Sequence, residues 1–575
     1  MKYRIFYTNP QSRYLHIEQT IENINADSIE VQLPAWRPGR YELGNFAKNV
    51  QDFKVVDNLG KPLNYQKITK DRWRIKTPLT DTVTVKYNFY SAELTAGSTY
   101  LDKEFVYMNP VNCLMYAEGW QHEPCQVYLE LPNDYILACS MKKQDGHSMW
   151  AENFEELADS PFIASSVMQH KEFEVSGCNT HVWVLGETNL DVDNLCTDIA
   201  QYTVEQVKLF GEIPCKDYHY LYIMVPHSGR HGVEHKNSTV ILMGKANEFD
   251  QEEKYHDLLA ISSHELYHLW NVKRIRPADM YPYDYTKENY STMGYVYEGV
   301  TTYQGDLMLL RSGAWDFERY ANSFSGDVIR HFDNYGRYYY SVAESSYDTW
   351  LDGYEPGVPN RKVSIYIEGM LATLILDLEI RKATDNSMSV HTLMRVLYEK
   401  YAQNNKGFTE EEYKQEIETI IGKDMTDYFN KFINGRGEVE KYLPEVLSWI
   451  GCQLVERTPE KKHEALYGFR VLWNNMERSV FHVVPDSPAE KAGLGRGDLI
   501  LSVNGTTLDK DNLISDLVGD GSQPAKLVVR EIMREREVTI EADGKDYFTK
   551  YILIKNPDAT DEQKAFFKAW SNQEF

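Results

Sequence analysis

The residues best suited to chemistry lie in the segment Ser263–Trp270, which contains the pattern H-E-x-x-H. His264 and His268 are four residues apart, so on a helix both imidazoles lie on one face and can reach one zinc ion. Glu265 lies between them, where its carboxylate can take a proton from a water molecule that the metal activates. This set of residues predicts the hydrolysis of amide bonds.

A hydrolytic zinc site needs a third protein ligand and an open fourth position. Glu298 follows His268 by thirty positions and opens an amphipathic helix, from which its side chain can project toward the first helix. The apolar residues that flank the two histidines indicate that the first helix is buried. Glu298 is therefore a suitable third ligand.

The elements that must position these residues fall into successive regions. Up to about residue 188 the chain alternates in short runs separated by turn signals, which predicts a β-sandwich. Residues 189–445 have mainly helical periodicity with a small sheet, residues 446–545 are β-rich again, and residues 546–575 form a tail. The sequence thus predicts a multi-domain α+β protein in which a mainly helical catalytic domain lies between two β-rich domains.

Composition narrows the classes of function. The formal net charge of −25 disfavours binding to nucleic acid and to anionic membranes. The seven cysteines are odd in number and include no C-x-x-C pair, which argues against a disulfide framework and a cysteine zinc site. No signal-peptide h-region and no long apolar run is visible. We expect a soluble cytoplasmic protein, or a periplasmic one if a signal peptide has been removed.

Longer motifs carry a family resemblance. The segment His264–Pro277 closely resembles the zinc-site signature of the M61 glycyl aminopeptidase family, Leu33–Tyr41 looks like that family's amino-terminal motif, and Ala559–Lys564 looks like its tail. The resemblance spans nearly the whole chain and implies a gluzincin with a thermolysin-like catalytic domain. It implies that Glu265 is the general base and later the proton shuttle. It assigns one Zn2+ to His264, His268 and Glu298.

A second group of residues, Arg230–Thr239, resembles the G-x-x-E-N or G-G-L-E-H motif of the M1 and M61 aminopeptidases. In those families the glutamate accepts the free α-ammonium group of the substrate, and this role would fall to Glu234. Such a charge-assisted hydrogen bond is worth about 1.5–3 kcal/mol. Gly232 would let the backbone approach the substrate, and His235 is a further candidate for substrate binding.

The oxyanion of the transition state needs a donor besides the metal. The segment Val363–Leu371 resembles the family's Tyr-Tyr-x-Lys-Gly segment, and Tyr366 aligns with the second tyrosine, so it is the candidate donor. Three positions depart from the relatives. Ile365 replaces the first tyrosine, Glu368 replaces the lysine, and Thr302 stands where thermolysin-type relatives carry a supporting aspartate. The acceptors that orient the histidine ligands are therefore not identified by the sequence.

The segments Val483–Leu494 and Gly497–Ile500, with the residues before them, resemble a bacterial-type PDZ domain. Such domains bind a peptide by strand addition, while loop amides hold its terminal carboxylate. That loop would consist of Leu466, Tyr467, Gly468 and Phe469. A docked, purely structural domain with a blocked groove is the alternative.

Together these features predict a zinc-dependent aminopeptidase acting on peptides with a free amino terminus, and the family name implies a preference for Gly or Ala. Two other functions stay open. One is a zinc endopeptidase whose substrates are recruited by the PDZ domain, and the other is a catalytically inactive, PDZ-containing binding protein. The natural substrate, the oligomeric state and the ligand of the PDZ domain are not evident from the sequence.

Overall fold

The computed structural model describes residues 1–78, 80–354, 358–437, 439–474, 477–508 and 513–575. A sheet-rich region, a mainly helical region and a second sheet-rich region follow one another along the chain, which confirms the predicted fold class. Within the described residues, no helix has both the length and the apolar composition that crossing a membrane would require.

The amino-terminal region consists of strands joined by turns and short helices. Its elements are β1 (Lys2–Phe6), β2 (Tyr14–Ile21), β3 (Ser28–Gln32), β4 (Val50–Asp57), β5 (Tyr65–Lys67), β6 (Arg72–Lys76), β7 (Val83–Tyr90), β8 (Tyr100–Leu101), β9 (Phe105–Met108), α1 (Pro110–Cys113), β10 (Tyr116–Ala117), β11 (Cys125–Leu129), β12 (Ile136–Cys139), β13 (Lys142–Lys143), β14 (Ser148–Ala151), α2 (Phe154–Ala158) and β15 (Phe162–Ser165). One sheet has the order β13-β14-β11-β1-β2-β7-β4, and two others have the orders β10-β3-β6-β5 and β12-β15-β9-β8. Buried side chains from the first two sheets, such as Ile17 and Trp73, share one core, which is the arrangement of a sandwich.

The central region surrounds one mixed sheet with helices. Its elements are β16 (Gln169–Val175), β17 (Cys178–Leu185), α3 (Val192–Phe210), β18 (Asp217–Val225), β19 (Gly229–Glu234), β20 (Ser238–Gly244), α4 (Glu252–Tyr267), α5 (Thr301–Ser312), α6 (Phe317–Asp333), α7 (Val342–Asp352), α8 (Ile365–Ala383), α9 (Val390–Lys400), α10 (Glu410–Ile421), α11 (Thr426–Tyr428) and α12 (Val439–Trp449). The sheet has the order β16-β17-β18-β20-β19, so β16 and β19 are its two edges. The domain boundary expected at residue 188 assigns β16 and β17 to the first region, yet β17 pairs in parallel with β18. This pairing makes both strands part of the central sheet.

The carboxyl-terminal region forms a small sheet with its own core and then returns to the central region. Its elements are β21 (Cys452–Arg457), α13 (Lys462–Tyr467), β22 (Phe469–Asn474), β23 (Glu477–Val483), α14 (Pro488–Lys491), β24 (Leu499–Val503), β25 (Thr506–Thr507), α15 (Ile514–Leu517), β26 (Ala525–Arg530), β27 (Glu535–Ile540), β28 (Lys550–Lys555) and α16 (Asp561–Ser571). β28 pairs with β21, and the indole of Trp570 in α16 donates a hydrogen bond to the hydroxyl of Tyr303 in α5 over 2.8 Å. The tail is therefore packed against the helices that follow the predicted zinc site.

One loop of the amino-terminal region enters the core of the central region. The indole N–H of Trp36 donates to the carbonyl of Asp284 over 2.6 Å, and the amide of Ala35 donates to the carbonyl of Tyr285 over 2.7 Å. Trp36 and Tyr41 are fully buried members of the central hydrophobic core. This loop, residues 33–41, is thereby held beside the residues that the sequence singled out.

Candidate active site

Two successive helical segments bring the predicted zinc ligands together. His264 lies in the last turn of α4, His268 ends that helix, and Glu298 lies in a π-helical turn, Tyr295–Val300, that leads into α5. The two histidine Nε2 atoms are 3.0 Å apart, and Glu298 Oε2 lies 3.6 Å from His264 Nε2 and 3.4 Å from His268 Nε2. Ligands placed about 2.0–2.1 Å from a tetrahedral zinc ion are about 3.3–3.4 Å from one another. The three donor atoms therefore have the spacing of a zinc site.

Glycines allow the supporting helices to approach closely. A Cβ atom on Gly305 of α5 would lie 3.1 Å from His264 Cα, and a Cβ atom on Gly299 would lie 2.4 Å from Gly369 Cα in α8. Larger residues would force these segments apart and move Glu298 away from the histidines. The spacing of the ligands thus depends on backbone contacts as well as on the ligands themselves.

Hydrogen bonds orient two of the ligands. The Nδ1 atom of His268 lies 2.6 Å from the backbone carbonyl of Asn271, and donation to that oxygen leaves Nε2 available for a metal. The hydroxyl of Tyr41, from the amino-terminal region, donates to Glu298 Oε1 over 3.1 Å. Thr302, which replaces the aspartate of thermolysin-type relatives, has a buried hydroxyl with no hydrogen-bond partner among the described residues.

The electrostatics of this cluster favour a bound cation. Glu234, Glu265 and Glu298 are all buried. Burial alone would lower the pKa of His268 and raise that of Glu298, but their mutual attraction reverses both shifts, to about 9 and about 2. Glu265 Oε2 and Glu298 Oε2 are buried without a hydrogen-bond partner in the described structure. A divalent cation would neutralise this excess of carboxylates, so the donor set fits Zn2+.

Glu265 lies against the edge strand β19. A Cβ atom on Gly232 would lie 2.1 Å from Glu265 Oε1, so only glycine leaves room for this carboxylate. Burial, with the nearby carboxylates of Glu234 and Glu298, raises the pKa of Glu265 to about 8. A bound cation would lower this pKa again, because it stabilises the ionised form that acts as a general base.

Glu234 lies at the end of β19, beside the same cluster. One donor atom from each of Glu234, Glu265 and His268 lies within 4.8 Å of the other two. Glu234 is 4% exposed, and its Oε1 atom has no hydrogen-bond partner in the described part of the chain. A Cβ atom on Gly39, in the loop of residues 33–41, would lie 2.5 Å from Glu234 Oε2. The free carboxylate oxygen is therefore enclosed between the edge strand and the amino-terminal region.

His235 follows Glu234 but belongs to a different set of contacts. Its Nδ1 atom lies 3.1 Å from the carboxylate of Asp159, which also forms a buried ion pair with Lys273 at 2.8 Å. Burial alone would raise the pKa of Asp159, but Lys273 and His235 hold it well below its usual range. His235 thus contacts the amino-terminal region, and its role in substrate binding stays a prediction.

Tyr366 lies in the first turn of α8, close to the ligands. Its ring centroid is 6.4 Å from that of His264, and its hydroxyl is 3.3 Å from the hydroxyl of Tyr354. Burial and the carboxylate of Glu298 raise the pKa of Tyr366 well above its usual range, so the hydroxyl stays protonated and can donate a hydrogen bond.

Ile365 and Glu368, the two residues near Tyr366 that depart from the family pattern, are both buried. Ile365 is 4% exposed and belongs to the central hydrophobic core. Glu368 is buried, and its carboxylate lies 2.6 Å from Nδ1 of His331 in α6. Ile365 is thus a core residue, and the carboxylate of Glu368 pairs with a histidine of α6.

The predicted peptide loop of the PDZ domain is largely internal. Leu466 and Tyr467 end α13, Gly468 has a left-handed backbone and donates its amide to the carbonyl of Glu464, and Phe469 begins β22. Tyr467 and Phe469 are fully buried in the core of this domain. The role of these four residues in binding a carboxylate stays a prediction.

The sequence did not identify the part played by the loop of residues 33–41. Gly39, Tyr41 and the buried Arg37 border Glu234 or Glu298. Burial lowers the pKa of Arg37, and the charge of Glu234 opposes that shift. The only signal was a family motif at this loop, and that motif carries no information about its distance from residues much later in the chain.

Comparisons with known proteins find matching family models and similar solved structures. Family models match at residues 2–166 (Peptidase M61 N-terminal domain), 257–372 (M61 glycyl aminopeptidase) and 482–531 (PDZ domain). The chain is similar to the crystal structure of an aminopeptidase N family protein from Idiomarina loihiensis, with a TM-score of 0.91 and 25% identity over 99% of both chains. An M1 zinc metallopeptidase from Deinococcus radiodurans has a TM-score of 0.47 and 11% identity, over 76% of this chain and 93% of that chain.

A shorter match involves the serine protease HTRA1 of Xenopus tropicalis. It is 26% identical over 111 residues, which make up 19% of this chain and 23% of that protein. The match thus spans less than a quarter of the curated relative.

Proposed function

We propose that this chain is a zinc metallopeptidase of the M61 peptidase family and acts as an aminopeptidase on peptides with a free amino terminus. The observation that carries the proposal is the position of Glu234. Its carboxylate lies within 4.8 Å of donor atoms of Glu265 and His268, is buried, and has an oxygen without a hydrogen-bond partner among the described residues.

This upper limit places Glu234 close enough to the metal ligand His268 for a single bound residue to contact both. In a peptide, the α-nitrogen and the carbonyl carbon of one residue are about 2.5 Å apart. An ammonium group that donates to Glu234 over about 2.8 Å therefore brings the first carbonyl to within reach of Glu265. The second carbonyl lies a further residue away, so the first peptide bond is the one that is cut.

Glu234, Glu265 and Tyr366 each have a different role in the proposed hydrolysis. Glu234 accepts hydrogen bonds from the α-ammonium group and holds the first peptide bond in place. Glu265 takes a proton from the attacking water and passes it to the leaving nitrogen. The protonated hydroxyl of Tyr366 donates to the oxyanion. His264, His268 and Glu298 would hold Zn2+, which would polarise the scissile carbonyl and lower the pKa of the attacking water.

We also propose that a small first residue, Gly or Ala, is preferred. Gly39 lies directly against the carboxylate of Glu234, and Tyr41 is fully buried and hydrogen-bonded to Glu298. A large side chain next to the bound ammonium group would have to displace this packed loop. The family model that matches residues 257–372 is named for glycyl aminopeptidases, which supports the same preference.

The PDZ domain supports a second candidate, an endopeptidase with recruited substrates. PDZ domains bind extended peptides by strand addition, and here the domain contacts the end of α6 through an ion pair of 2.6 Å between Arg470 and Asp333. We propose that it binds peptide termini and that cleavage nonetheless starts at the free amino terminus.

A library of peptides in matched free and N-acetylated forms distinguishes these functions. Digestion is followed by mass spectrometry with untreated, chelator-treated and zinc-restored protein, and with Glu265→Gln as the inactive control. An aminopeptidase releases single residues from free peptides only, and the chelator abolishes the release. Efficient cleavage of acetylated peptides supports the endopeptidase, and activity that survives both the chelator and Glu265→Gln contradicts zinc-dependent hydrolysis at this site.

A further inference from the structure

The hairpin of β16 and β17 carries a second group of potential metal ligands, far along the sheet from the edge strand β19. His170 and Glu172 are two residues apart on β16, so their side chains lie on the same face. Glu172 is directly opposite His181 of β17, and His170 is opposite Trp183. One donor atom from each of His170, Glu172 and His181 lies within 4.8 Å of the other two.

Two of the three separations in this group are similar to those of the predicted active site, and the third, between His170 and Glu172, is at most 4.8 Å. His170 Nε2 lies 3.1 Å from His181 Nδ1, and His181 Nδ1 lies 3.6 Å from Glu172 Oε2. The corresponding separations among the active-site ligands are 3.0, 3.4 and 3.6 Å. Both sets are close to the ligand–ligand distance of about 3.3–3.4 Å expected for tetrahedral zinc.

Neighbouring side chains hold the two imidazoles in place. The ring of His170 stacks on Trp183, with centroids 3.6 Å apart and an angle of 11°, and the ring of His181 stacks on His219 at 4.3 Å and 12°. The other nitrogen of His181, Nε2, lies 3.7 Å from a carboxylate oxygen of Asp217. A carboxylate at this position orients the histidine ligands of many zinc sites and increases their basicity.

We propose that His170, Glu172 and His181 form a second zinc-binding site at the outer edge of the central sheet. Two imidazoles and one carboxylate are a ligand set that zinc accepts, and the partly exposed hairpin leaves a fourth position to water. The ion joins the two strands at the sheet edge and takes no part in peptide hydrolysis, because β16 and β19 are opposite edges.

Zinc stoichiometry tests this proposal on the full chain without a polyhistidine tag. Metal-free protein is equilibrated with excess zinc, freed of unbound metal by gel filtration, and analysed by elemental mass spectrometry. We expect two zinc ions per wild-type chain and one in His170→Asn and in Glu172→Gln. The exposed His122 provides the matched control, because His122→Asn should retain two. The hairpin variants should keep kcat/KM within about twofold of wild type, because β16 and β19 are opposite edges of the sheet.

Each deviation from this pattern has a definite meaning. One zinc ion per wild-type chain, two in the hairpin variants, or a loss in His122→Asn would overturn the hairpin site. His264→Asn should also retain one ion, and if it retains two, the active-site assignment fails while the hairpin site stands. Asp217→Asn should weaken hairpin binding about 10- to 100-fold, as is typical when the partner of a ligand is removed.

Cu2+ provides a second readout that does not depend on counting zinc. Because Trp183 stacks on His170, Cu2+ bound at the hairpin should quench the fluorescence of this tryptophan. Titration of wild-type protein whose active site is already filled with zinc should show quenching that is lost in Trp183→Phe and in His170→Asn. Equal quenching in all three proteins would contradict binding at this position.

Discussion

Replacing Glu234 by glutamine tests whether its buried carboxylate binds the free amino terminus of the substrate. The substitution keeps the shape of the side chain and removes its charge. Glu234 is 4% exposed and has an oxygen with no hydrogen-bond partner in the described structure, so the interaction with an ammonium group would be shielded from water. The change should therefore affect substrates with a free amino terminus and leave acetylated ones unaffected.

The expected size follows from the energy of one charge-assisted hydrogen bond. Such a bond is worth about 1.5–3 kcal/mol, and each 1.36 kcal/mol corresponds to a factor of ten in rate. For Glu234→Gln, kcat/KM on a free peptide should therefore fall by about 13-fold to about 160-fold. Because the ammonium group is bound in the ground state and in the transition state alike, most of the loss should be a rise in KM.

The assay compares initial rates on glycyl and alanyl peptides with those on the same peptides after N-acetylation. Glu248, a carboxylate beyond the end of β20 that pairs with Lys245 at 2.9 Å, provides the control variant Glu248→Gln, for which no change is expected. A thermal unfolding measurement on each variant, compared with wild type, shows whether the variant is folded. An unchanged kcat/KM for free peptides in Glu234→Gln, or efficient cleavage of the acetylated peptides by the wild-type protein, would refute the role of Glu234.

Three further substitutions probe the surroundings of the site. Gly39→Ala places a Cβ atom 2.5 Å from Glu234 Oε2, at a φ of +82° that costs about 1–2 kcal/mol in backbone strain. The kcat/KM for free peptides should fall while the amount of bound zinc is unchanged. A normal kcat/KM would show that the loop moves aside without affecting Glu234. Tyr366→Phe should lower kcat by about 10²–10³-fold with little change in KM, and stopped-assay kinetics that show only a KM effect would exclude it as the oxyanion donor. Lys273→Met leaves the buried Asp159 without its ion-pair partner and should destabilise the protein by about 3–5 kcal/mol. The midpoint of urea unfolding should fall accordingly, and an unchanged midpoint would show that the pair behaves like one on the surface.

The local part of the active site could be predicted from the sequence because it depends on short-range geometry. His264 and His268 are four positions apart, and the period of an α-helix alone places them on one face. Glu298 could be added because it opens the next helical segment. In the structure the donor atoms of these three residues are 3.0–3.6 Å apart, as metal ligands would be.

The rest of the site depends on contacts that no local pattern encodes. The acceptor for His268 is the backbone carbonyl of Asn271, and a carbonyl is present at every residue, so no side chain marks it. The hydroxyl of Tyr41 reaches Glu298 across 257 positions of the chain. That contact exists because Trp36 is packed in the central core, and tertiary packing of this kind is visible only once the domains are assembled.

The domain arrangement itself bears on the choice between exopeptidase and endopeptidase. An endopeptidase needs a cleft that continues past the scissile bond on both sides, because residues precede the one that is cut. Here Gly39 closes against the carboxylate of Glu234, and Tyr41, on the same loop, is fully buried and hydrogen-bonded to Glu298. A chain extending beyond an amino terminus bound at Glu234 would meet this loop. We therefore propose that the amino-terminal region closes this end of the cleft, and that the release of single residues follows from the way it packs beside the predicted metal ligands.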